Sequence, residues 1–289
     1  MSAEVSADIS NMSPPRAAAA DEAAQVRRLL KEERGRELRR RLLILAGQIA
    51  LGAAALAAWE ALSGSVLDPF WFSAPSDIGR TLADWFVSGS VWPHVRTTLY
   101  RMLAGFAAAA AAAVALGLLL GRLRVLEKIL EPYIMALFSL PKVALGPLFI
   151  IWFGLGFKSS FMMVVAMVFF PVFYSVLNGV RAADAHLIDM ARIMGASRRQ
   201  LAAKIILPAA KPWIFAGLKL AVPYAIIGAV IGEMLGANRG LGFLVQYHSG
   251  QFNSTGVFAA LFILTAIALA LELVSKHGGN ALRRLLPKK

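Results

Sequence analysis

Long apolar runs alternate with shorter polar segments along most of the chain. Six runs come close to the roughly 20 residues that an α-helix needs to cross a hydrocarbon core of about 30 Å. Backbone groups in lipid must pair within their own segment, and runs this long and evenly apolar are unlike barrel strands. The pattern therefore predicts an all-α membrane protein with six transmembrane helices. These are residues 42–59, 102–120, 132–153, 160–179, 213–235 and 257–274.

The runs divide the chain into a membrane domain, 42–275, and two polar tails. We expect disorder over about the first 20 residues of the N-terminal tail, 1–41, because they have no apolar periodicity. Residues 21–41 combine Val and Leu with many Arg and Glu, which fits either an amphipathic helix on the inner leaflet or a solvated charged helix. Residues 276–289 form a basic C-terminal tail.

Composition and charge agree with this interpretation. Of the 289 residues 58% are hydrophobic, and the mean hydropathy is +0.64. The net charge of +13 would suit a nucleic-acid partner, but its placement indicates orientation in a membrane instead. With cytoplasmic termini, 23 of the 30 Lys and Arg lie inside, in 1–41, 122–131, 181–212 and 276–289. The outer side has only four, as the positive-inside rule requires: Arg80, Arg96, Lys158 and Arg239.

Small residues and prolines suggest how the spans pack. Residues 107–113 are all Ala, with Gly105 and Gly117 on either side, so we expect the second span to be buried in a helix bundle or at a subunit contact. Pro141 breaks the third span, while Pro171 and Pro223 interrupt the fourth and fifth. Such breaks are typical of transport pathways, but kinks that serve packing alone are an equal alternative.

The segment 63–95 is predicted to be an ordered outer loop with a short helix over 76–86. Ser76 and Asp77 are expected to cap the start of that helix. The loop also contains many aromatic residues, which we interpret as interfacial anchors rather than a ligand cage. They are Trp71, Phe72, Trp85, Phe86 and Trp92.

A polar loop, 181–212, separates the fourth and fifth spans. Apolar positions recur at helical spacing up to Gly195, which is expected to end a first helix. Ser197 and Gln200 form a capping box for a second helix. Pro208 and Pro212 are expected to end the second helix before the fifth span begins. The sequence therefore predicts a cytoplasmic helix–turn–helix that is fixed at both ends to membrane spans.

This loop resembles the cytoplasmic signature of the membrane subunits of ABC importers, which is E-A-A, three residues, Gly, nine residues and I-x-L-P. Asp189 stands in place of the Glu and Met190 in place of the first Ala. Residues 92–105, 139–156 and 240–243 are also similar to the nitrate, sulfonate, taurine and bicarbonate branch of these permeases. The residues at the signature positions are Asp189, Met190, Ala191, Gly195, Ile205, Leu207 and Pro208. Ala196 and Ser197, in the turn between the two helices, belong to the same candidate coupling loop.

The resemblance implies a type I importer permease of the bacterial inner membrane. Such a subunit would pair with a second copy or a similar permease, two ATPase subunits that bind ATP and Mg, and a periplasmic binding protein. The loop would hold the coupling helices, which dock into the ATPase. A small anionic solute such as a sulfonate, nitrate or bicarbonate would be imported by alternating access.

Charged residues inside spans are candidates for the translocation path. Lys142, beside Pro141, would attract an anion or instead donate to a carbonyl freed by the broken helix. Lys219, one turn before Pro223, lies near enough to the inner end of its span to snorkel. Glu233 is expected to gate the outer end or contact the binding protein, or else to pair with Arg239.

Two methionines of the fourth span, Met163 and Met167, fit either a soft gate or a packed core. The four His show no metal-type spacing, and the chain has no Cys and no phosphate-binding loop, so a partner must hydrolyse ATP. A membrane enzyme would need a cluster of catalytic residues that the sequence lacks. The alternative function is that of an ion-driven transporter working alone. Such a transporter would show internal repeats and paired charges within its spans, and the sequence shows neither.

Overall fold

A computed structural model describes the backbone of residues 16–66, 68 and 70–285, and the side chains within these ranges except for 16–35, 38, 124 and 276–285. The elements it contains there are helical, which confirms the predicted all-α class. The helices are α1 Arg16–Leu62, α2 Pro75–Val87, α3 Trp92–Leu120, α4 Arg124–Ser139, α5 Gly146–Phe153, α6 Phe157–Arg181, α7 Ala185–Ile193, α8 Arg198–Leu201, α9 Leu207–Gly236, α10 Leu241–Gly250 and α11 Ser254–Leu285.

The chain divides into two units at Leu62. The first unit consists of α1, whose apolar part, Arg39–Leu62, is long enough to cross a membrane. The helix runs without a break from Arg16 into this span, so the predicted tail helix and first span are one element. The disorder predicted for the start of the tail falls largely on residues 1–15, which lie outside the described residues.

The second unit holds the other predicted spans. Four of its helices are long and apolar enough to cross a membrane: Trp92–Leu120, Phe157–Arg181, Arg198–Gly236 and Ser254–Ser275. The remaining one is the pair Val125–Ser139 and Lys142–Phe153, bent by 83° at the predicted Pro141 break. Such a pair is a broken span or a re-entrant loop, so within the described residues five or six helices are long and apolar enough to cross a membrane.

Helices α3 and α6 pack with their backbones close together. A Cβ added to Gly105 would lie 2.6 Å from Val164 Cβ, and one added to Gly117 would lie 2.9 Å from Val176 Cβ. Both pairs have the same offset along the chain, so the two helices run parallel. A ridge of small residues at every fourth position of α3 thus receives a ridge of valines from α6. The predicted burial is confirmed for this face of α3, whereas Ala107, Ala108, Ala111 and Ala112 on the other side are exposed in this chain.

Helix α9 packs against α6 in the same close way, but antiparallel. Gly217 lies beside Ser175 towards one end of the pair, and Gly232 lies 2.6 Å, measured from a built Cβ, from Ser160 Cα towards the other end. The Ser175 hydroxyl also donates to the Trp213 carbonyl at 2.7 Å. Helix α6 is therefore the centre of a tight three-helix core formed with α3 and α9.

Two predicted features of the helix ends are wrong. Helix α2 has Ala74 as its N-cap, with no capping side chain, and Pro75 occupies its first turn, so Ser76 and Asp77 lie inside the helix. Neither Pro208 nor Pro212 ends the second helix of the loop, because helical structure is continuous over Arg198–Gly236. A π turn, Ala202–Ile206, directly precedes α9 within this segment. The wider turn displaces the carbonyls that a proline ring would otherwise contact.

Candidate functional site

The polar loop begins with a helix whose two ends are well defined. The Asp184 carboxylate caps the start of α7 by accepting from a backbone N–H at 2.8 Å. The helix ends at Gly195, which has a φ of +82°, and the Ala196 N–H donates back to the Ala191 carbonyl at 2.9 Å. This is a Schellman-type ending, in which glycine adopts the left-handed conformation at low cost. Gly195 therefore ends the first helix, as predicted.

The predicted capping box at the start of α8 is confirmed. The Ser197 hydroxyl accepts from the Gln200 N–H at 3.3 Å, and the Gln200 side-chain oxygen accepts from the Ser197 N–H at 2.7 Å. Because α8 continues through the π turn into α9, this box fixes the start of a helix that reaches the opposite end of the molecule. The turn between α7 and α8 is thus ordered at both of its ends.

The loop exposes a set of large apolar side chains. Met190 is 60% exposed, and Ile193 and Met194 are more than 80% exposed, although each lies in a segment rich in charge. Clustered apolar exposure on a polar surface is typical of a protein contact site. The Asp189 carboxylate, also exposed, pairs with Arg192 of the same helix at 3.3 Å.

The remaining signature positions lie at the base of the loop. Ile205 and Leu207 are half-buried, and Pro208 is exposed. They belong to the π turn and the first turn of α9, and therefore join the exposed part of the loop to the three-helix core.

Lys142 interacts with the break in the third predicted span. Its ammonium donates to the Phe138 carbonyl at 2.5 Å and lies 4.5 Å from the centroid of the Phe138 ring and 5.3 Å from that of Phe170. The α-helical donor to this carbonyl would be the Lys142 N–H, which lies beyond the end of α4 at Ser139. Of the two interpretations of Lys142, the structure favours the one in which it satisfies a freed carbonyl.

Lys219 and Pro223 are both exposed on one face of α9, and Pro141 is exposed at the break. Lys219 lies 17 residues before the end of α9 at Gly236, a rise of roughly 26 Å. A rise of this size is comparable to the thickness of a hydrocarbon core, about 30 Å. That the Lys219 side chain snorkels to the membrane interface stays a prediction.

Met163 and Met167 belong to the packed core. Met163 is 1% exposed and Met167 is 7% exposed, and both pack against Phe149 of α5. The glycines of α9, including Gly228 and Gly232, approach the same side chains closely. Of the two interpretations of these methionines, the structure favours the packed core, and they line no open path in this arrangement.

Glu233 lies in a buried polar network at the end of α9. Its side chain is fully buried, and its carboxylate accepts from the Thr98 hydroxyl at 2.8 Å, the Gly242 N–H at 3.0 Å and the Arg101 guanidinium at 3.3 Å. The predicted pairing with the Arg239 side chain is wrong, because Arg239 contributes only its carbonyl, to Arg101. In this arrangement the Glu233 carboxylate is not exposed at the surface of the chain.

The network holds the start of α10 against α3 and α9. His94 lies 3.2 Å from the Gly240 N–H, and Thr98 accepts from the Leu241 N–H at 2.8 Å. Sequence reasoning did not identify this role, although His94, Thr98 and Arg101 have the spacing of residues on one helix face.

The histidines near this network do not form a metal site. His248 of α10 stacks on Trp85 with centroids 5.4 Å apart. Burial, and secondarily the nearby His94, lower the pKa of His248, so it is neutral at pH 7. Among the described residues, no group of three His, Cys, Asp or Glu is placed to hold a metal ion.

A second ionic cluster was also not identified from the sequence. Arg181, the last residue of α6, donates through Nε to Glu127 Oε1 of α4 at 2.6 Å and contacts Glu131 at 3.4 Å. Glu127 is 5% exposed, whereas Arg181 is about half exposed. The sequence offered no clear signal, because the partners lie about 50 residues apart.

Taken together, the helices that are long and apolar enough to cross a membrane and the exposed helix–turn–helix define a helical membrane protein with a polar loop between two of its spans. Residues 113–284 match the family described as the binding-protein-dependent transport system inner membrane component. The chain belongs to this family of ABC importer permeases, in which separate subunits hydrolyse ATP.

Individual relatives agree with that assignment. The putative aliphatic sulfonates transport permease SsuC of Bacillus subtilis is 32% identical over 75% of this chain and 79% of its own length. The formylaminopyrimidine transport permease ThiX of Halalkalibacterium halodurans is 32% identical over 73% and 84%. A chain of the inward-facing MetNI methionine ABC transporter has the same fold, with a TM-score of 0.57 and 19% identity over 69% of this chain and 99% of that one.

Proposed function

We propose that this permease forms the path for a small anionic solute and is driven by an ATPase that docks on the loop 181–212. The observation that carries the proposal is the set of exposed apolar residues on α7, held between ordered turns and joined to two spans. An ATPase that binds this surface would move α6 and α9 directly. Asp189, Met190 and Gly195 belong to the docking surface.

The assembly we infer contains two copies of this permease, two ATPase subunits that bind ATP and Mg, and a periplasmic binding protein. Each permease chain supplies one helix–turn–helix, which matches one ATPase subunit. Positive charge on the loop and on both tails supports an orientation in which these segments face the cytoplasm of a bacterial inner membrane.

The path is proposed to include the exposed face of α9 that carries Lys219 and Pro223, and the break at Pro141. Lys142 remains a candidate for attracting an anion, because its ammonium is only half-buried. Support for an anion also comes from the sulfonate named for SsuC. The name of ThiX shows that a similar permease serves a pyrimidine.

The function is tested by reconstituting the permease with its ATPase and binding protein in vesicles. We expect uptake that requires ATP and stops when ATP is removed. Uptake that persists without ATP and follows an ion gradient would instead identify a secondary transporter.

The substrate is tested separately on the binding protein. Its unfolding temperature is measured with a sulfonate, nitrate, bicarbonate and a formylaminopyrimidine. Because a ligand that binds only the folded state raises that temperature, we expect a shift with one of the three anions. A shift with the pyrimidine alone would contradict the anionic substrate.

A further inference from the structure

Arg181 occupies a position that connects three parts of the molecule. It is the last residue of α6 and lies three residues before Asp184, the N-cap of α7. Through its guanidinium it also holds Glu127 and Glu131 of α4. The base of the polar loop is therefore joined to the helix that leads to the break at Pro141.

The contact between α4 and α6 differs in kind from the contacts of the three-helix core. In the core, small residues bring the backbones of α3, α6 and α9 together. Helix α4 instead reaches α6 through long side chains. Phe138 packs on Tyr174 and Phe170 with centroids 5.1 Å and 5.8 Å apart.

The interface between α4 and α6 also contains a packing defect. A small crevice between the helices is lined by Tyr174 and by Arg181, Glu127 and Glu131, which we call the charged triad. The Tyr174 hydroxyl is buried without a hydrogen-bond partner. Polar groups are rarely left this way in a tightly packed interior. Helix α4 is thus less firmly packed against α6 than α3 and α9 are, so it can shift against α6 more easily than they can.

The charged triad is the firmest connection across this loose interface. Glu127 is nearly fully buried, so separating it from Arg181 would leave a carboxylate without its cation in a low-dielectric site. A displacement of the end of α6 is therefore expected to carry α4 with it rather than break the pair.

We propose that Arg181, Glu127 and Glu131 are positioning residues that pass movement of the polar loop to α4, and through α4 to the break at Pro141 and Lys142. The proposal rests on the proposed function, because it requires an ATPase that moves the loop. It adds a defined link between that movement and the candidate path.

The test uses Arg181→Gln in the reconstituted importer, with Arg122→Gln as a matched control. Arg122 is an exposed arginine at the same end of the membrane domain, two residues before α4. We measure ATPase assembly, ATP hydrolysis and solute uptake, and from these the solute imported per ATP. Arg181→Gln should assemble and hydrolyse ATP but import about fivefold less solute per ATP, since residues along a coupling route change coupling by roughly 0.5–2 kcal/mol. The control should match the wild type.

Two further variants separate coupling from folding. Arg181→Lys keeps the charge and should retain intermediate coupling. The double variant Arg181→Gln/Glu127→Gln leaves no buried carboxylate unpaired, so it should restore the yield of folded protein but not the coupling. Wild-type coupling in Arg181→Gln or in the double variant would overturn the link alone. A wild-type protein that neither binds nor stimulates an ATPase would overturn the proposed function and the link with it.

Discussion

Gly195 shows how one residue defines the exposed loop. Its φ of +82° ends α7, and a Cβ built on it would meet no atom within 4 Å. A substitution there is therefore resisted by the backbone conformation and not by its surroundings. Gly154 has the same properties, a φ of +77° and open space, but lies after α5 at the other end of the three-helix core.

Replacing Gly195 by Leu should leave the protein in the membrane and weaken its association with the ATPase. The left-handed conformation costs a non-glycine residue about 1–2 kcal/mol, which corresponds to roughly a 5- to 30-fold loss of affinity if the turn is held for docking. The affinity is measured with purified permease and ATPase in detergent.

Gly154→Leu is the control, because it carries the same backbone cost away from the loop. It should bind the ATPase like the wild type. Equal ATPase affinity and equal uptake in the two variants would contradict a docking role for the turn.

The element that organises the membrane domain is α6. Its valines fit the small residues of α3, and its other face receives the glycines of α9. The Ala-rich composition of α3 was enough to predict that it is buried. Its partner was not predictable, because a ridge of small residues accepts any helix with larger residues at the same spacing.

Gly117→Ala tests this packing. The added Cβ would lie 2.9 Å from Val176 Cβ, so the helices must separate, and overpacking of this kind costs about 1–3 kcal/mol. We expect a lower unfolding temperature in detergent. Gly52→Ala is the matched control in another membrane helix, where the new Cβ meets no atom within 4 Å. A Gly117→Ala protein as stable as this control would show that α3 and α6 are not held as closely as described.

At the scale of the whole molecule, the two ends of the membrane domain are held by different ionic groups. Arg101 and Glu233 are almost fully buried and join α3, α9 and α10 at one end. Arg181 and Glu131 are about half exposed and, with the buried Glu127, join α4 to α6 at the other. The first group is built to stay together, whereas the second borders the loosely packed interface.

Arg101→Met should strongly destabilise the protein, by about 3–5 kcal/mol, because Glu233 would keep a buried charge without its partner. The double variant Arg101→Met/Glu233→Gln should recover most of that loss. Thermal unfolding in detergent measures both.

Arg80→Met is the control. It removes an exposed pair with Asp77 and should change stability by no more than about 1 kcal/mol. If Arg101→Met/Glu233→Gln is as unstable as Arg101→Met, the loss of stability comes from lost packing and not from an unpaired charge.

The sequence alone predicts the features that depend on residues close to one another along the chain. The spans, the break at Pro141, the helix end at Gly195 and the capping box at Ser197 all follow from local pattern. Long-range pairs such as Arg181 with Glu127 depend on how helices dock, which spacing along the chain does not determine. Pro208 was misinterpreted because the rule that proline ends a helix does not anticipate a π turn before it.

The continuous helical segment that runs through Pro208 has a mechanical consequence. From Arg198 to Gly236 it contains 39 residues, a length of roughly 58 Å. One end belongs to the exposed loop and the other to the buried network of Glu233. Treated as a rigid lever pivoting near the loop, a tilt of about 10° would sweep the far end through roughly 10 Å. A helix interrupted at Pro208 would bend at that point and lose most of this amplification.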